Sequence, residues 1–316
     1  MSPSDAQRIV VTGAAGFIGS HVVDRLLEQG HAVFAVDDLS SGREENLSHA
    51  LDAGLRLEKV DVRAEDFRSF VRAATPDAVL HLAAQVDVRR SVRDPIEDAG
   101  QNIIGTLSVF EAARAAGTTR ILIASSGGTI YGEPRALPVA EDAGTQPAVP
   151  YGISKRVLND YAEFYRASAG MKTLLLALGN VYGPRQDPNG EAGVVAIFLG
   201  RMLRGEQPVI YGDGTQVRDY VYVTDVVDSF VRGLASSADG VVNIGTGAGT
   251  SVLDLFRACA RTTGYQGEPS FEAARPGELQ ASVLSVERAA RDLHWEPATT
   301  LDDGLRMTAE HLAKRS

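Results

Sequence analysis

Three glycines at a regular spacing follow a short apolar run near the N-terminus, and this segment constrains the fold more than any other. Residues 8–12 (Arg-Ile-Val-Val-Thr) are rich in β-branched side chains, which predicts a buried β-strand. Gly13, Gly16 and Gly19 come next, and residues 20–29 then show helical periodicity. Between a strand and a helix, such glycines permit a tight turn and a close backbone approach to a pyrophosphate, which the helix N-terminus faces. The segment therefore predicts a dinucleotide-binding turn.

An acidic pair after the next apolar run indicates which dinucleotide this turn binds. Residues 31–36 predict a second strand, and Asp37 and Asp38 follow it directly. A carboxylate at this place accepts hydrogen bonds from the adenosine ribose hydroxyls and repels a 2′-phosphate. NAD is therefore favoured over NADP.

Strand-like and helix-like segments alternate along much of the chain. The predicted strands are residues 8–12, 31–36, 55–60, 78–84, 120–126 and 171–178, and the predicted helices are residues 20–29, 95–116 and 151–169. This alternation predicts an α/β fold with a doubly wound parallel sheet (Rossmann), whose ligands lie at the carboxyl ends of the strands. From Gly179 onward the elements are shorter, with two strands around a turn (208–214 and 218–223) and a helix capped by Thr224. This part predicts a smaller C-terminal α/β substrate domain.

Charge and cysteine content narrow the classes of function. A net charge of −10 argues against a general affinity for nucleic acid or an anionic membrane. The single Cys259 excludes an intramolecular disulfide and, without an apolar span or a signal peptide, favours a cytoplasmic location. The six histidines lack the spacing of metal ligands, so no metal is expected, and His81 is expected to be a core residue.

Tyr151 and Lys155 are the candidate catalytic pair. They are four residues apart in a predicted helix, which places them one turn apart on one face. A lysine ammonium near a phenol stabilises the phenolate, so we expect the pKa of Tyr151 to lie below the usual value of about 10. Such a tyrosine suits proton exchange with a sugar or alcohol hydroxyl near neutral pH.

With these motifs the chain resembles the extended short-chain dehydrogenase/reductase family, specifically its nucleotide-sugar 4-epimerases of the UDP-glucose (UDP-galactose) 4-epimerase type. The resemblance covers nearly the whole chain. It rests on residues 12–20, 37, 61–62, 82–84, 102, 125–132, 151–155, 180–186, 218–220 and 275–278.

The resemblance implies NAD as a resident cofactor, a UDP-sugar substrate and a homodimer. It implies that residues 1–178 and 223–261 form the NAD-binding domain and residues 179–222 and 262–316 the UDP-sugar-binding domain. The dimer is expected to form through helices 95–116 and 151–169.

The family also implies a role for individual residues of this chain. The catalytic residues are Tyr151 and Lys155 with Ser126 or Thr129. The residues implied to bind NAD are Gly13, Ala15, Gly16, Phe17, Ile18, Gly19, Asp37, Asp38, Leu39, Ser41, Gly42, Asp61, Val62, Leu82, Ala83, Ala84, Gln85, Asn102, Ser125, Tyr151 and Lys155. The residues implied to bind the UDP-sugar are Val86, Ser126, Gly127, Gly128, Asn180, Arg185, Val194, Val195, Val209, Ile210, Tyr211, Arg218, Arg275, Glu278 and Ser282. Arg218 and Arg275 would clamp the diphosphate, a natural use of two arginines in an acidic protein.

The implied mechanism is a transient oxidation of the sugar at C4. Tyr151 removes the proton of the 4-hydroxyl while a hydride leaves C4 for the nicotinamide, and Lys155 lowers the pKa of Tyr151. The 4-keto sugar then turns about its diphosphate and takes the hydride back on its other face. The family usually has a serine or threonine where this chain has Gly127, so Ser126, Thr129 or a water molecule must contact the sugar hydroxyl.

Neighbouring residues separate this reaction from related ones. The family's dehydratases carry an Asp-Glu pair, and its decarboxylases the glutamate, where this chain has Gly128 and Thr129, so elimination and decarboxylation lack their acid–base groups. The small Ser282 leaves room for N-acetylhexosamines. Arg185 could instead face the carboxylate of UDP-glucuronate, although Asn180 stands where glucuronate epimerases have threonine. A non-catalytic NAD-binding sensor is the alternative from another class.

Overall fold

A seven-stranded parallel sheet carries the N-terminal motifs. The computed structural model describes residues 6–188, 193–275 and 278–314, so Pro276 and Gly277 of the predicted 275–278 loop lie outside the described residues. The strands are β1 (Arg8–Thr12), β2 (Ala32–Val36), β3 (Leu57–Glu58), β4 (Ala78–His81), β5 (Arg120–Ser126), β6 (Lys172–Leu178), β7 (Asn180–Tyr182), β8 (Val209–Tyr211), β9 (Val217–Arg218), β10 (Tyr220–Tyr222), β11 (Gly240–Ile244), β12 (Thr250–Ser251), β13 (Ser270–Glu272) and β14 (Ala281–Ser282).

Helices connect these strands. They are α1 (Phe17–Glu28), α2 (Ser48–Asp52), α3 (Glu65–Ala74), α4 (Val88–Arg93), α5 (Pro95–Ala99), α6 (Gly105–Ala116), α7 (Gly127–Ile130), α8 (Pro150–Ala169), α9 (Val194–Leu203), α10 (Val223–Ala235), α11 (Val252–Thr263), α12 (Glu287–Leu293) and α13 (Leu301–Ala313). A 3-10 helix spans Glu44–Leu47, and a π-helical segment spans Gly100–Ile104. None of the described helices is long and apolar enough to cross a membrane.

The strand order of the large sheet creates a crevice at its centre. The order is β11-β6-β5-β4-β1-β2-β3, with every neighbouring pair parallel. The chain runs outward from β1 to β3 and then returns to the other side of β1 with β4. This reversal is the topological switch point at which doubly wound proteins bind their ligands. The predicted fold class is confirmed.

Apolar clusters cover both faces of the sheet. One contains Leu26 of α1, Phe230 of α10 and Trp295, and the other contains Phe67 of α3 and Phe110 of α6. Trp295 is fully buried and its indole N–H donates to the backbone carbonyl of Asp225 at 2.8 Å, so it is an anchor of this core cluster.

A third cluster joins α9, α11 and α13 through Leu199, Leu255 and Leu305. Residues 252–261 of α11 thus pack with C-terminal elements, whereas the sequence assigned them to the NAD-binding domain. The division into two domains stays a prediction.

Three details differ from the sequence expectations. The predicted strands 208–214 and 218–223 do not pair with each other, because β8 pairs with β13, β9 with β12 and β14, and β10 with β7. The expected cap at Thr224 is wrong, since α10 begins at Val223 after Tyr222. The helix predicted over 95–116 contains the π-helical segment, a feature that is frequent at functional sites.

Candidate active site

A cavity of about 360 Å³ lies along the carboxyl ends of the central strands. The predicted cofactor residues that line it are Gly13, Gly16, Phe17, Ile18, Gly19, Asp37, Asp38, Ser41, Asp61, Val62, Leu82, Ala83, Ala84, Ser125, Tyr151 and Lys155. Ser126, Val86 and Arg185, which were predicted to contact the substrate, also line it. Both predicted motifs, the glycine turn and the Tyr-Lys pair, therefore face one space.

The glycine turn allows the backbones of β1 and β4 to come close together. Gly13 has a φ of +68°, and a Cβ atom there would lie 2.6 Å from the backbone nitrogen of Ala83. A Cβ atom at Gly19 would collide with the carbonyl oxygen of Gly13. The turn therefore requires glycine for its conformation and for helix–strand packing.

Asp37 is a buried carboxylate at the end of β2. Its Oδ2 accepts from the Ala15 N–H and its Oδ1 from the Leu39 N–H, both at 2.9 Å. Burial raises the pKa of Asp37, and these N–H groups oppose the rise. A Cβ atom at Gly42 would lie 2.7 Å from Oδ1. Ala15, Leu39 and Gly42 were predicted to bind NAD, but they do not line the cavity. Ala15 and Leu39 hydrogen-bond Asp37, and Gly42 leaves room for its side chain.

Asp61 follows β3 and lines the cavity, and both of its carboxylate oxygens pair with Arg63. Arg63 Nε lies 3.0 Å from both carboxylate oxygens, and this pairing holds the pKa of Asp61 below its usual range. Asp61 therefore stays charged near neutral pH.

Gln85 and Asn102 fix the loop after β4 rather than line the cavity. Asn102 is 1% exposed. Its Nδ2 donates to the Gln85 carbonyl at 2.9 Å, and the Gln85 N–H donates to its Oδ1 at 3.0 Å. Their predicted contact with the cofactor stays a prediction.

His81 is a neutral core residue, as expected. Its Nδ1 lies 2.7 Å from Thr12 Oγ1 and its Nε2 3.0 Å from Thr106 Oγ1. The Thr106 hydroxyl donates to the Asn102 carbonyl at 2.6 Å, so Nε2 of His81 must be the donor to Thr106. Burial lowers the pKa of His81 to about 3.

Tyr151 and Lys155 are both buried on α8, with 9% and 4% exposure. Burial raises the pKa of Tyr151 to about 12, and a side-chain hydrogen bond with Ser126 opposes the rise. The expected lowering of this pKa by Lys155 is therefore wrong for the structure. Lys155 Nζ lies 5.8 Å from the ring centroid and donates to the Ala124 carbonyl at 2.9 Å. The pKa of Lys155 is itself lowered to about 8, because burial disfavours the charged ammonium form.

The structure distinguishes Ser126 from Thr129 as the hydroxyl next to Tyr151. A Cβ atom at Gly127 would lie 2.5 Å from Leu284 Cδ1 and 2.9 Å from the Ala177 carbonyl oxygen, so no side chain fits there. Ser126 lines the cavity and bonds Tyr151. Thr129 Oγ1 is buried without a hydrogen-bond partner among the described residues. The geometry favours Ser126.

The other predicted substrate residues lie outside this cavity. They are Gly127, Gly128, Asn180, Val194, Val195, Val209, Ile210, Tyr211, Arg218, Arg275, Glu278 and Ser282. Several of them meet: Arg218 Nη2 lies 3.2 Å from Glu278 Oε1, and the Arg275 guanidinium lies 3.8 Å from the centroid of the Tyr211 ring. Ser282 on β14 is in register with Arg218 on β9.

Some cavity residues were not predicted. Arg43, Asn46, Arg63 and Gln101 line it, and Arg43 Nη2 forms a 2.7 Å ion pair with Asp187 Oδ2. This contact joins distant parts of the chain, and no local sequence pattern reports it.

Within the described part of the chain, no group of His, Cys, Asp and Glu side chains is placed to hold a metal ion.

Comparisons with known proteins agree with this geometry. The profile of the NAD dependent epimerase/dehydratase family matches residues 9–245. A UDP-glucose 4-epimerase of Mycolicibacterium smegmatis is 46% identical over 98% of this chain and 99% of its own. The crystal structure of the Thermotoga maritima UDP-glucose 4-epimerase with UDP-glucose has a TM-score of 0.94 at 45% identity, covering 97% of this chain and 99% of that one. The Thermus thermophilus UDP-glucose 4-epimerase complex with NAD has a TM-score of 0.91 at 40% identity, covering 98% and 100%.

Proposed function

Because this chain belongs to the NAD dependent epimerase/dehydratase family, we propose that it is an isomerase, a UDP-glucose 4-epimerase that interconverts UDP-glucose and UDP-galactose with NAD. One observation carries the proposal: Tyr151, Lys155 and Ser126 line the same cavity as the glycine turn. A tyrosine, a lysine and a hydroxyl beside a dinucleotide site suit the removal and return of a proton at a sugar alcohol.

The residues of the cavity fit NAD. Small residues after β4 and the turn after β1 leave backbone access for a pyrophosphate at the N-terminus of α1. Asp37 lines the cavity at the end of β2, where a carboxylate can accept from a ribose hydroxyl. When bound, NAD supplies the redox chemistry by taking up a hydride from the sugar and returning it.

The roles of the protein groups follow from their positions. Tyr151 takes the proton of the 4-hydroxyl and returns it, and Ser126 hydrogen-bonds the same hydroxyl. Lys155, whose Nζ lies 5.8 Å from the Tyr151 ring centroid, is placed to bind the nicotinamide ribose, and the raised pKa of Tyr151 means that burial outweighs the lysine charge at the phenol. Burial excludes water from the group that moves the proton.

We also propose that the C-terminal elements hold the UDP part of the substrate. Arg218 and Arg275 supply two guanidinium groups in an acidic protein, and Tyr211 offers an aromatic face. The Glu278 partner orients Arg218. The proposed sugar-binding residues Asn180, Val194 and Val195 lie on β7 and α9, which follow strand β6 of the large sheet in the chain.

The size of the Ser282 side chain bears on substrate choice. Ser282 is small and lies beside the Arg218 strand, which supports activity on UDP-N-acetylglucosamine as well. In Ser282→Tyr we expect kcat/KM for UDP-N-acetylglucosamine to fall at least about 10-fold relative to that for UDP-glucose, because the larger ring fills the N-acetyl space. Assays of both sugars with one enzyme preparation measure this ratio. An unchanged ratio would remove Ser282 from substrate selection.

Two alternative functions are not favoured. A UDP-glucuronate 4-epimerase needs a cation free for the sugar carboxylate, but Arg185 Nη2 forms a 2.6 Å ion pair with Asp24 Oδ2. A non-catalytic sensor has no need for the buried pair of Tyr151 and Lys155. Turnover of UDP-glucose, UDP-N-acetylglucosamine and UDP-glucuronate by the purified protein separates these functions.

A homodimer in the cytoplasm completes the proposal. Apolar side chains are exposed on α4, α5, α8 and the π-helical segment, namely Val92, Ile96, Ile104, Ile153 and Phe164. Such a patch on adjacent helices is typical of a subunit interface. Sedimentation is expected to give about twice the chain mass of 33.6 kDa. A monomer at micromolar concentration would contradict the dimer.

A further inference from the structure

Asp98 on α5 is a buried carboxylate held by neutral donors. It is 1% exposed. Its Oδ2 accepts from the Ser154 hydroxyl at 2.6 Å, and its Oδ1 accepts from Gln85 Nε2 at 3.0 Å and Asn102 Nδ2 at 2.9 Å. A buried carboxylate is costly unless a nearby positive charge compensates it, and none of these donors is charged.

Lys155 is a buried cation that feels the charge of this carboxylate. Ser154 directly precedes Lys155 in α8 and lies one helical turn after Tyr151. The Tyr151 N–H is also held, since it lies 3.2 Å from the Ser91 hydroxyl of α4. The hydrogen bond from Ser154 to Asp98 and the one from the Tyr151 N–H to Ser91 therefore fix the turn of α8 that carries both groups of the proposed active site.

Building on the proposed function, we propose that Asp98 is a positioning residue for the Tyr151–Lys155 pair. Its hydrogen bond to Ser154 fixes the α8 turn, and its negative charge keeps Lys155 in the ammonium form inside the protein. Asp98 does not line the active-site cavity, so it acts on the site through Ser154 and Lys155.

Electrostatics support this role. Burial lowers the pKa of Lys155 to about 8, and the attraction of Asp98 opposes that fall. The same negative charge contributes to the raised pKa of Tyr151. The other titratable groups near Lys155 are His81 on β4, Tyr131 after α7, Glu141 in the following loop, and Arg156 and Asp160 on α8.

These other groups do not replace Asp98. His81 is neutral above a pKa of about 3. Glu141 Oε1 accepts from the Asn243 N–H at 2.8 Å, and burial raises the pKa of Glu141. Arg156 Nη2 and Asp160 Oδ2 form an exposed pair with each other at 3.3 Å. Asp98 is the group that opposes desolvation of Lys155.

Two substitutions separate the charge of Asp98 from its hydrogen bond. Asp98→Asn keeps the size and an acceptor for Gln85 and Asn102 but removes the charge. Ser154→Ala removes the hydrogen bond but keeps the charge. If Asp98 acts only as a tether, Asp98→Asn, whose side-chain amide can still hydrogen-bond the Ser154 oxygen, leaves the pKa of Lys155 unchanged.

The ionisation of Lys155 can be followed directly, because the chain has only four lysines, Lys59, Lys155, Lys172 and Lys314. NMR titration of protein labelled at the lysine ε-carbons, with Lys155→Arg to assign the signal, gives the pKa of Lys155 in the NAD-bound protein. We expect Asp98→Asn to lower this pKa by about one unit or more and Ser154→Ala to shift it by less than about half a unit. Asp98→Ser, which also removes the charge, replaces Asp98→Asn if that variant does not fold.

The same variants predict the pH dependence of turnover. The alkaline limb of the kcat/KM profile, which reports groups of the substrate-free enzyme, is expected to move to lower pH in Asp98→Asn by the shift seen in the titration, and to stay in place in Ser154→Ala. An unmoved Lys155 pKa in Asp98→Asn, or equal shifts in both variants, would overturn the proposal. The titration needs no turnover, so a protein that converts no UDP-sugar contradicts the proposed function while the role of Asp98 is still decided by NMR.

Discussion

Replacing Tyr151 by phenylalanine is expected to lower kcat for UDP-glucose by about 10²- to 10⁴-fold, the range that a positioned acid–base group contributes. The change deletes one oxygen and leaves the buried ring in place. Because α8 keeps its packing, the free energy of unfolding and the content of bound NAD should stay near the wild-type values. Initial rates at saturating substrate, with NAD measured after denaturation, give both quantities.

A tyrosine on the same helix provides the matched control. Tyr161 packs against the cluster that contains Leu158, away from the cavity. Tyr161→Phe is expected to retain wild-type kcat. Thr129→Val tests the hydroxyl assignment in the same way, and it should keep its activity because Ser126 contacts Tyr151. A Tyr151→Phe variant as active as Tyr161→Phe would remove Tyr151 from the mechanism.

Gly13→Ala is expected to reduce the free energy of unfolding by at least about 3 kcal/mol and to abolish NAD binding. The new Cβ atom would lie 2.6 Å from the backbone nitrogen and 2.9 Å from the Cα atom of Ala83, and this backbone cannot easily move aside because it closely follows the central strand β4. Separating β1 from β4 also widens the place where the pyrophosphate approaches. Urea unfolding with an unchanged m value and the NAD content of the purified protein measure the two effects.

Gly30→Ala separates backbone conformation from steric collision. Gly30 has a similar φ of +82°, but nothing lies within 4 Å of its Cβ position. The cost there should be about 1–2 kcal/mol, from the left-handed conformation alone. Equal losses of unfolding free energy in Gly13→Ala and Gly30→Ala would show that the close approach of Ala83 to Gly13 does not contribute to the cost.

The parts of the site that local sequence patterns specify were predictable. The strand, turn and helix around Gly13 and the acid at Asp37 follow from residues near one another in the chain, and each lies where the pattern indicated. Tyr151 and Lys155 were found because helical spacing alone places them on one face.

The features that sequence did not reveal depend on tertiary contacts. The choice of Ser126 over Thr129 depends on the hydrogen bond between Ser126 at the end of β5 and Tyr151 on α8. Asp98 resembles an ordinary acid in the first turn of a helix, and only the packing of α5 against α8 brings it to Ser154, the residue before Lys155. The expected direction of the Tyr151 pKa was wrong because the sequence showed a cation nearby but not the depth of burial.

The conversion of UDP-glucose to UDP-galactose by the purified protein, without added NAD, tests the central claim most directly. We predict that the reaction reaches the same equilibrium from either sugar and that Tyr151→Phe loses it while retaining NAD. If NAD is bound and neither sugar is converted, the assignment as a UDP-glucose 4-epimerase is contradicted.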